Sequence, residues 1–226
     1  KLLNRSNSGA SAEQREQREQ ERLARIEGLK QDFATQANAN DVSSATKTLD
    51  QLRVELGESD AFVTKSGPQM LADAYYKLAT RKAEQKDFAA ALKLAKGGLK
   101  LQPGRQELRL AVKGYTVDGN RQDLARTFGR DGEFDLAEVL EKASEVQTLD
   151  PRAYSEAESG WAQAVANRLQ ALQESTGEQS NALLDRAKEV FAGNQLIAGI
   201  DRAGPVIGES PPPPSKSPCS SKLAGH

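Results

Sequence analysis

Apolar residues recur at helical spacing through most of this 226-residue chain, and no stretch alternates apolar and polar residues as a half-buried strand does. The periodic segments are separated by short turns rich in Gly, Pro, Asn and Asp. A single amphipathic helix cannot hide its apolar side unaided, so such segments must pack against one another. The sequence therefore predicts an all-α fold, a right-handed array of antiparallel helical hairpins over residues 12–203.

The first predicted helix runs from about Ser11 and contains two different halves. Glu, Gln and Arg dominate the earlier half, which is polar on every side. The later half carries an apolar stripe: Leu23, Ile26, Leu29 and Phe33. The later half is thus expected to pack, whereas the earlier half predicts a solvated helix or, alternatively, a spacer that self-associates. Asp41 is suited to cap a second helix that ends at Gly57.

The centre of the chain predicts a pair of helices of similar length. Gly67 and Pro68 begin the third helix, and a short turn at Lys86 and Asp87 separates it from a fourth, which ends before Pro103. Two such antiparallel helices form an α-hairpin whose apolar face needs neighbours on each side.

Further helices are predicted towards the end of the chain. One covers residues 105–117, and a turn at 118–120 (Asp-Gly-Asn) separates it from a short helix ending near Phe128. A longer helix follows from residue 134 to 149 and is closed by Asp150 and Pro151. A final hairpin places Trp161 on its first helix, where a buried core position is the expected role for the indole.

Composition excludes most catalytic chemistry. The chain has one His (His226), one Cys (Cys219) and one Met, so metal sites and His-based or Cys-based catalytic groups are not expected, and no catalytic, cofactor-binding or metal-ligating residue is predicted. Thirty-one basic residues against 32 acidic residues argue against nucleic acid as a partner. No run of about 20 apolar residues predicts a membrane helix. The predicted class is a non-catalytic interaction domain.

The two ends differ in composition from the helical region. Residues 204–226 are rich in Pro, Gly and Ser and include four successive prolines at 211–214, which favour a disordered or extended linker. Cys219 lies in this linker, where an extracytoplasmic protein would pair it with a second Cys, so it is a candidate disulfide half. Residues 1–11 are expected to be a flexible, solvent-exposed start; the alternative is that they follow a membrane helix outside this chain, which resembles a fragment of a longer protein.

Residues 72–103 resemble one tetratricopeptide repeat, a helix pair with a period of about 34 residues. The matching positions are these: Ala72, Tyr75, Leu78, Ala79, Phe88, Ala91, Ala95 and Pro103. Three positions depart from the family pattern, namely Lys82 for an aromatic residue, Lys86 for a turn glycine and Gly98 for an alanine. The alternative is a helical bundle that matches the pattern by chance.

The tetratricopeptide resemblance implies a peptide-binding groove lined by the first helix of the pair. The residues that it places there are Asp73, Tyr76, Thr80 and Glu84. The family's carboxylate-clamping residues are absent, because Tyr76 and Thr80 occupy their positions, so capture of a C-terminal carboxylate is not expected. The acidic side chains beside the groove would suit a neutral or basic ligand.

Nearly the whole chain also resembles the periplasmic segment of bacterial bifunctional serine/threonine kinase and formylglycine-generating-enzyme-like membrane proteins. The segments that carry this resemblance are DVSSATKTLDQLRVEL, the hairpin region of 67–103, and the Pro-rich joint with CSSKLAGH. The resemblance implies a periplasmic location, anchored to the inner membrane in the full-length protein, and a role in sensing or in protein interaction beside a kinase. A cytoplasmic location, a ligand-free spacer or dimerisation stalk, and an accessory domain of an enzyme are the alternatives.

Overall fold

The computed structural model describes the backbone of residues 3–129 and 133–204, with side chains from residue 12 onward. Within these ranges every regular element is helical and none is a strand, which confirms the all-α class. The α-helices are α1 (Leu3–Asn38), α2 (Val42–Leu56), α3 (Gly67–Glu84), α4 (Phe88–Leu101), α5 (Gln106–Phe128), α6 (Leu136–Leu149), α7 (Pro151–Thr176), α8 (Asn181–Val190) and α9 (Gln195–Ala198). A π-helical turn covers Phe62–Ser66, and a 3₁₀ turn covers Gly177–Ser180. Cys219, His226 and the predicted linker from residue 205 onward lie outside the described residues.

The chain divides into two compact units. The first consists of residues 1–130 and 142–154, and the second of residues 131–141 and 155–226. In the first unit, helices that follow one another along the chain pack together: α1 with α2, α3 with α4, and α4 with α5. Both α1 and α2 also contact α3, so the first hairpin packs on the second.

Two clusters of buried side chains hold the first unit together. The larger joins α1, α2 and α3 through residues such as Phe33, Leu52 and Leu71, all at most 1% exposed. The Phe33 and Phe62 rings meet edge to face with centroids 5.6 Å apart, a favoured aromatic geometry. The smaller cluster joins α3, α4 and α5 and is built mainly of alanines that allow close helix approach: Ala72, Ala79, Ala95 and Leu108.

The α1/α2 and α3/α4 connections are the same turn, built twice. Asn40 and Lys86 both have a left-handed backbone, with φ of 58° and 59°. In each turn the following Asp donates its backbone N–H to a carbonyl five residues earlier, Asp41 to Gln36 and Asp87 to Lys82. The two Asp side chains then cap α2 and α4 by accepting from backbone N–H groups three residues on. The predicted caps and helix boundaries in this region are confirmed.

The predicted break in α5 is wrong, because one helix continues from Gln106 to Phe128. Tertiary contacts stabilise the Asp-Gly-Asn segment in helical form despite its turn propensity. A Cβ on Gly119 would lie 3.4 Å from the Cβ of Phe88, so the small residue suits this close contact. The side-chain amide of Asn120 donates to Glu145 Oε2 at 2.7 Å, and Lys142 Nζ donates to Asp123 Oδ2 at 3.0 Å. These contacts tie the segment to residues 142–154.

Other helix ends agree with the sequence in part. The helices predicted on either side of Pro151 and around Trp161 are confirmed, and Trp161 is 7% exposed, which agrees with the core role. The short α9 was not predicted, because four residues carry too little periodicity to be recognised. In α1 the helix begins at Leu3, earlier than the predicted start near Ser11.

The second unit is held by its own buried side chains. Its largest fully buried residues are Leu140, Val165, Leu169, Leu184, Phe191 and Ile197. Asn181 fixes the chain after α9, since its side-chain amide donates to the Ala203 carbonyl at 3.1 Å and its side-chain oxygen accepts from the Ala203 N–H at 2.9 Å. Asn194 caps α9 by accepting from the Leu196 N–H.

Candidate functional site

The predicted groove residues Asp73, Tyr76 and Thr80 lie on the side of α3 that faces α5, which we call the α5-facing surface. There the Asp73 carboxylate pairs with the Arg105 guanidinium at the start of α5. The same guanidinium lies over the Tyr76 ring, 5.8 Å from its centroid. Thus two of the predicted ligand-binding groups have a partner within the chain.

The remaining two predicted residues lie towards the end of α3. The Thr80 hydroxyl donates to the Tyr76 carbonyl at 3.0 Å, and its oxygen lies 3.4 Å from the Tyr115 hydroxyl oxygen of α5. Glu84 is exposed at the last position of α3. The structure therefore brings three of the four residues together, but α5 supplies groups that contact them.

A second surface, on the other side of the same helix, is a groove between α2, α3 and α4. It has a volume of about 920 Å³. Five lysines line it, namely Lys47, Lys82, Lys93, Lys96 and Lys100, and no Asp or Glu belongs to its lining. We call this surface the lysine groove.

The lysines of this groove come from three helices. Lys93, Lys96 and Lys100 lie at i, i+3 and i+7 on α4 and therefore share one face of that helix. Lys47 comes from α2 and Lys82 from α3. The groove thus collects positive charge that is dispersed in the sequence.

Most of these ammonium groups have no carboxylate beside them. Lys82 Nζ lies 3.9 Å from Asp87 Oδ2, at the outer limit of an ion pair. For the other four lysines, no carboxylate oxygen of the described residues lies within 4.0 Å. Hydrogen bonds from Ser44 hold the pKa of the Asp41 carboxyl below its ordinary value, and the positive charge of Lys47 adds to this effect.

The floor of the lysine groove is apolar. Tyr75, Leu78 and Leu94 line it and are half-buried. Gly97 lets the Tyr75 ring lie close to α4, since a Cβ there would be 2.9 Å from Tyr75 Cε1. An apolar floor surrounded by ammonium groups offers hydrophobic contact together with attraction for anions.

The lysine groove offers charged and apolar side chains for contact with a ligand, and its lining contains no His or Cys. In the part of the chain that the structure describes, no three His, Cys, Asp or Glu side chains come together as a metal site would require. What the groove can do with the groups present is hold a ligand through charge and apolar contact.

Sequence reasoning missed the lysine groove. The spacing of Lys93, Lys96 and Lys100 was a visible signal, since it places three like charges on one helical face. The contributions of Lys47 and Lys82 could not be found in this way, because only the packing of α2 and α3 beside α4 brings them to the same surface.

Comparisons with known proteins identify no relative: no family model, no curated protein and no solved structure matches this chain.

Among the helices that the structure describes, none combines the length and apolar character needed to cross a membrane.

Proposed function

We propose that this chain is a non-catalytic protein-interaction module built from tetratricopeptide-like helical hairpins, and that the lysine groove is its binding surface. The observation that carries this proposal is the groove itself, about 920 Å³ in volume, with an apolar floor and five lysines. Recessed apolar surface of this size, with a few charged groups around it, is typical of binding sites.

The repeated turn supports the tetratricopeptide-like part of the proposal. Asn40–Asp41 and Lys86–Asp87 make the same backbone hydrogen bonds, so the α1/α2 and α3/α4 hairpins share one turn geometry, as repeated units would. Stacked helix pairs of this kind bury apolar faces between neighbouring copies and leave grooves between helices. Such grooves hold ligands without transforming them.

The sequence resemblance supports a wider context. In this context the module would be the periplasmic part of a membrane-anchored signalling protein, placed between a kinase and a formylglycine-generating-enzyme-like domain. The module would then bind a protein in the periplasm and either position the neighbouring domains or relay the binding event to them.

A photo-crosslinking experiment tests the proposed binding surface. Benzoylphenylalanine replaces Ser43, an exposed, uncharged residue of the groove lining, and, as the matched control, Val54. Val54 lies on the same helix α2 and is 85% exposed, but it does not line the groove. Irradiation in cells that make the full-length protein should give a discrete crosslinked partner from position 43 and none from position 54. Equal crosslinking from both positions, or none from either, would contradict the proposal.

A second function, a spacer or dimerisation stalk, is favoured by the first half of α1. Between residues 12 and 25 every side chain is exposed except the partly buried Arg22. Arg22 and Arg25 contact Glu55 of α2, so the exposed polar part of the helix is residues 12–21. An exposed helix that is polar on all sides is suited to self-association or to holding domains apart. Sedimentation equilibrium of the whole chain and of a chain lacking residues 1–21 tests this candidate, because a stalk that dimerises predicts a dimer only for the whole chain.

A further inference from the structure

We infer that the lysine groove binds an acidic amphipathic helix of a partner protein. This inference rests on the proposed function and adds the chemistry of the partner to it. It also differs from the sequence-based expectation of a neutral or basic ligand, which concerned the α5-facing surface.

Charge is the first argument. The chain has nearly equal numbers of basic and acidic residues, 31 and 32, yet five lysines and no carboxylate line the lysine groove. Four of these lysines have no carboxylate of the described residues within 4.0 Å. Asp41 and Asp87 offset part of the positive charge at Lys47 and Lys82. Lys93, Lys96 and Lys100 form no ion pair with the described residues, and their charge is complementary to a partner rich in Asp or Glu.

The apolar floor is the second argument. A ligand that only carried negative charge would leave the exposed parts of Leu78, Leu94 and Tyr75 in contact with water. A helix with one apolar stripe and carboxylates on either side of it would cover both the floor and the lysines.

The spacing of the lysines on α4 gives the third argument. Seven residues separate Lys93 from Lys100, which at the helical rise corresponds to about 10 Å along the axis. Carboxylates two turns apart on a partner helix repeat over the same distance. A partner helix lying along α4 could therefore meet Lys93, Lys96 and Lys100 with successive acidic side chains while its Leu or Phe residues enter the groove.

The shape of the surface favours a peptide over a membrane. A helix that binds a bilayer presents its apolar residues outward with basic residues beside them. In the lysine groove the apolar side chains of Tyr75, Leu78 and Leu94 are half-buried among lysines from three helices, so they do not form the protruding apolar face of a membrane-binding helix.

The residue types favour a peptide over a nucleic acid. The lining contains no Arg, the residue best suited to phosphate through its planar fork. Its only aromatic residue, Tyr75, is packed against Gly97, which reduces the area open for stacking on bases.

Fluorescence anisotropy with the whole 226-residue chain tests the inference. The probe is a labelled synthetic amphipathic helix with Leu on one face and Glu elsewhere. Two matched peptides replace either all Glu by Lys or all Leu by Gln. The Leu/Glu peptide should bind at low salt, the Leu/Lys peptide should not, and the Gln/Glu peptide should bind at least about tenfold more weakly, because it lacks the apolar stripe.

Two protein variants separate the groove from general charge. The double variant Lys93→Glu/Lys96→Glu should weaken binding of the Leu/Glu peptide by at least about tenfold. The control Lys65→Glu/Lys113→Glu changes the net charge equally at exposed positions outside the groove and should stay within about twofold of the unmodified chain. Circular dichroism of both variants checks the fold, and Lys93→Gln/Lys96→Gln provides a milder change that should also weaken binding.

Several outcomes would overturn the inference. The first is that both double variants weaken binding of the Leu/Glu peptide equally, and the second is that the Leu/Glu and Leu/Lys peptides bind equally well. The third is that phosphatidylserine vesicles or single-stranded DNA bind the groove more tightly than the Leu/Glu peptide does. If the position 43 crosslink captures a partner but the Leu/Glu peptide fails to bind, the proposed function stands and only the acidic chemistry fails. If no crosslink forms either, both fail.

Discussion

Helix α3 separates two surfaces of opposite character. On its α5-facing surface, Asp73 is paired with Arg105, and Tyr76 lies beneath the same guanidinium. On the other side, the lysine groove collects five lysines, of which only Lys82 has a carboxylate of the described residues within 4.0 Å. Polar groups that contact one another within the chain contribute to its stability, whereas charges of one sign gathered without partners are available to a ligand. The comparison therefore supports the lysine groove, rather than the α5-facing surface, as the proposed binding surface.

The largest expected effect tests whether both surfaces depend on one core. Leu71 of α3 is 1% exposed within the larger cluster, so Leu71→Ala should lower the free energy of unfolding by about 2–5 kcal/mol. Leu110→Ala is the control, since this leucine is 59% exposed, and its effect should stay within about 0.5 kcal/mol. Urea unfolding followed by circular dichroism measures both. If Leu71→Ala removed the hydrogen-exchange protection of α3 but the Leu/Glu peptide still bound, binding in the groove would not depend on the core.

The next effect measures how strongly the α5-facing surface is held by its own contacts. Arg105→Ala removes both the ion pair with Asp73 and the contact with the Tyr76 ring, and should cost about 1–2 kcal/mol of unfolding free energy. A double-mutant cycle with Asp73→Ala should give a coupling energy of about 0.5–1 kcal/mol. A coupling energy near zero would show that Asp73 and Arg105 do not stabilise the chain through each other, and the two surfaces would then not differ in this respect. Binding of the Leu/Glu peptide should not change in either variant.

A smaller effect separates stability from binding. Lys86 adopts a left-handed backbone that favours glycine, so Lys86→Gly should raise the unfolding free energy by about 0.5–1 kcal/mol. Asn40→Gly is a built-in comparison at the equivalent turn, and its gain should be smaller because Asn tolerates this conformation better than Lys. Thermal unfolding of both variants gives the measurement. A loss of stability on Lys86→Gly would show that the Lys86 side chain makes a compensating contact.

The smallest effect has the opposite sign to that of Arg105→Ala. Lys96 has like charges three residues before it, at Lys93, and four residues after it, at Lys100, so Lys96→Gln should raise the unfolding free energy by about 0.2–0.5 kcal/mol at low salt. Lys96 is the residue to change because Lys100 lies in the last turn of α4, where the helix dipole favours its positive charge. The gain should vanish at about 1 M salt, where the Debye length is about 3 Å. Urea unfolding at the two salt concentrations measures it. A loss of stability at low salt would mean that Lys96 is compensated within the chain.

Much of the architecture was predictable because its determinants are local. Asp41 was recognisable as a cap, Lys86 and Asp87 as a turn, and Gly57 and Pro151 as boundaries, since each acts on the backbone next to it. The continuous α5 was not predictable, because the contacts of its Asp-Gly-Asn region, such as that of Asn120 with Glu145, involve residues distant in sequence. The four predicted groove residues lie on α3, but Arg105 and Tyr115, which contact three of them, come from sequence positions that gave no sign of this role.

Periodicity, caps and turn residues were enough to specify helices, most of their ends and an all-α class, because these features depend on residues within a few positions of one another. The choice of which side chains share a surface was made by tertiary packing alone. Lys47, Lys82 and Lys93 belong to three helices, and their charges become neighbours only when α2, α3 and α4 bury their apolar faces together. Electrostatic interaction depends on distance in space rather than along the chain, and folding sets that distance.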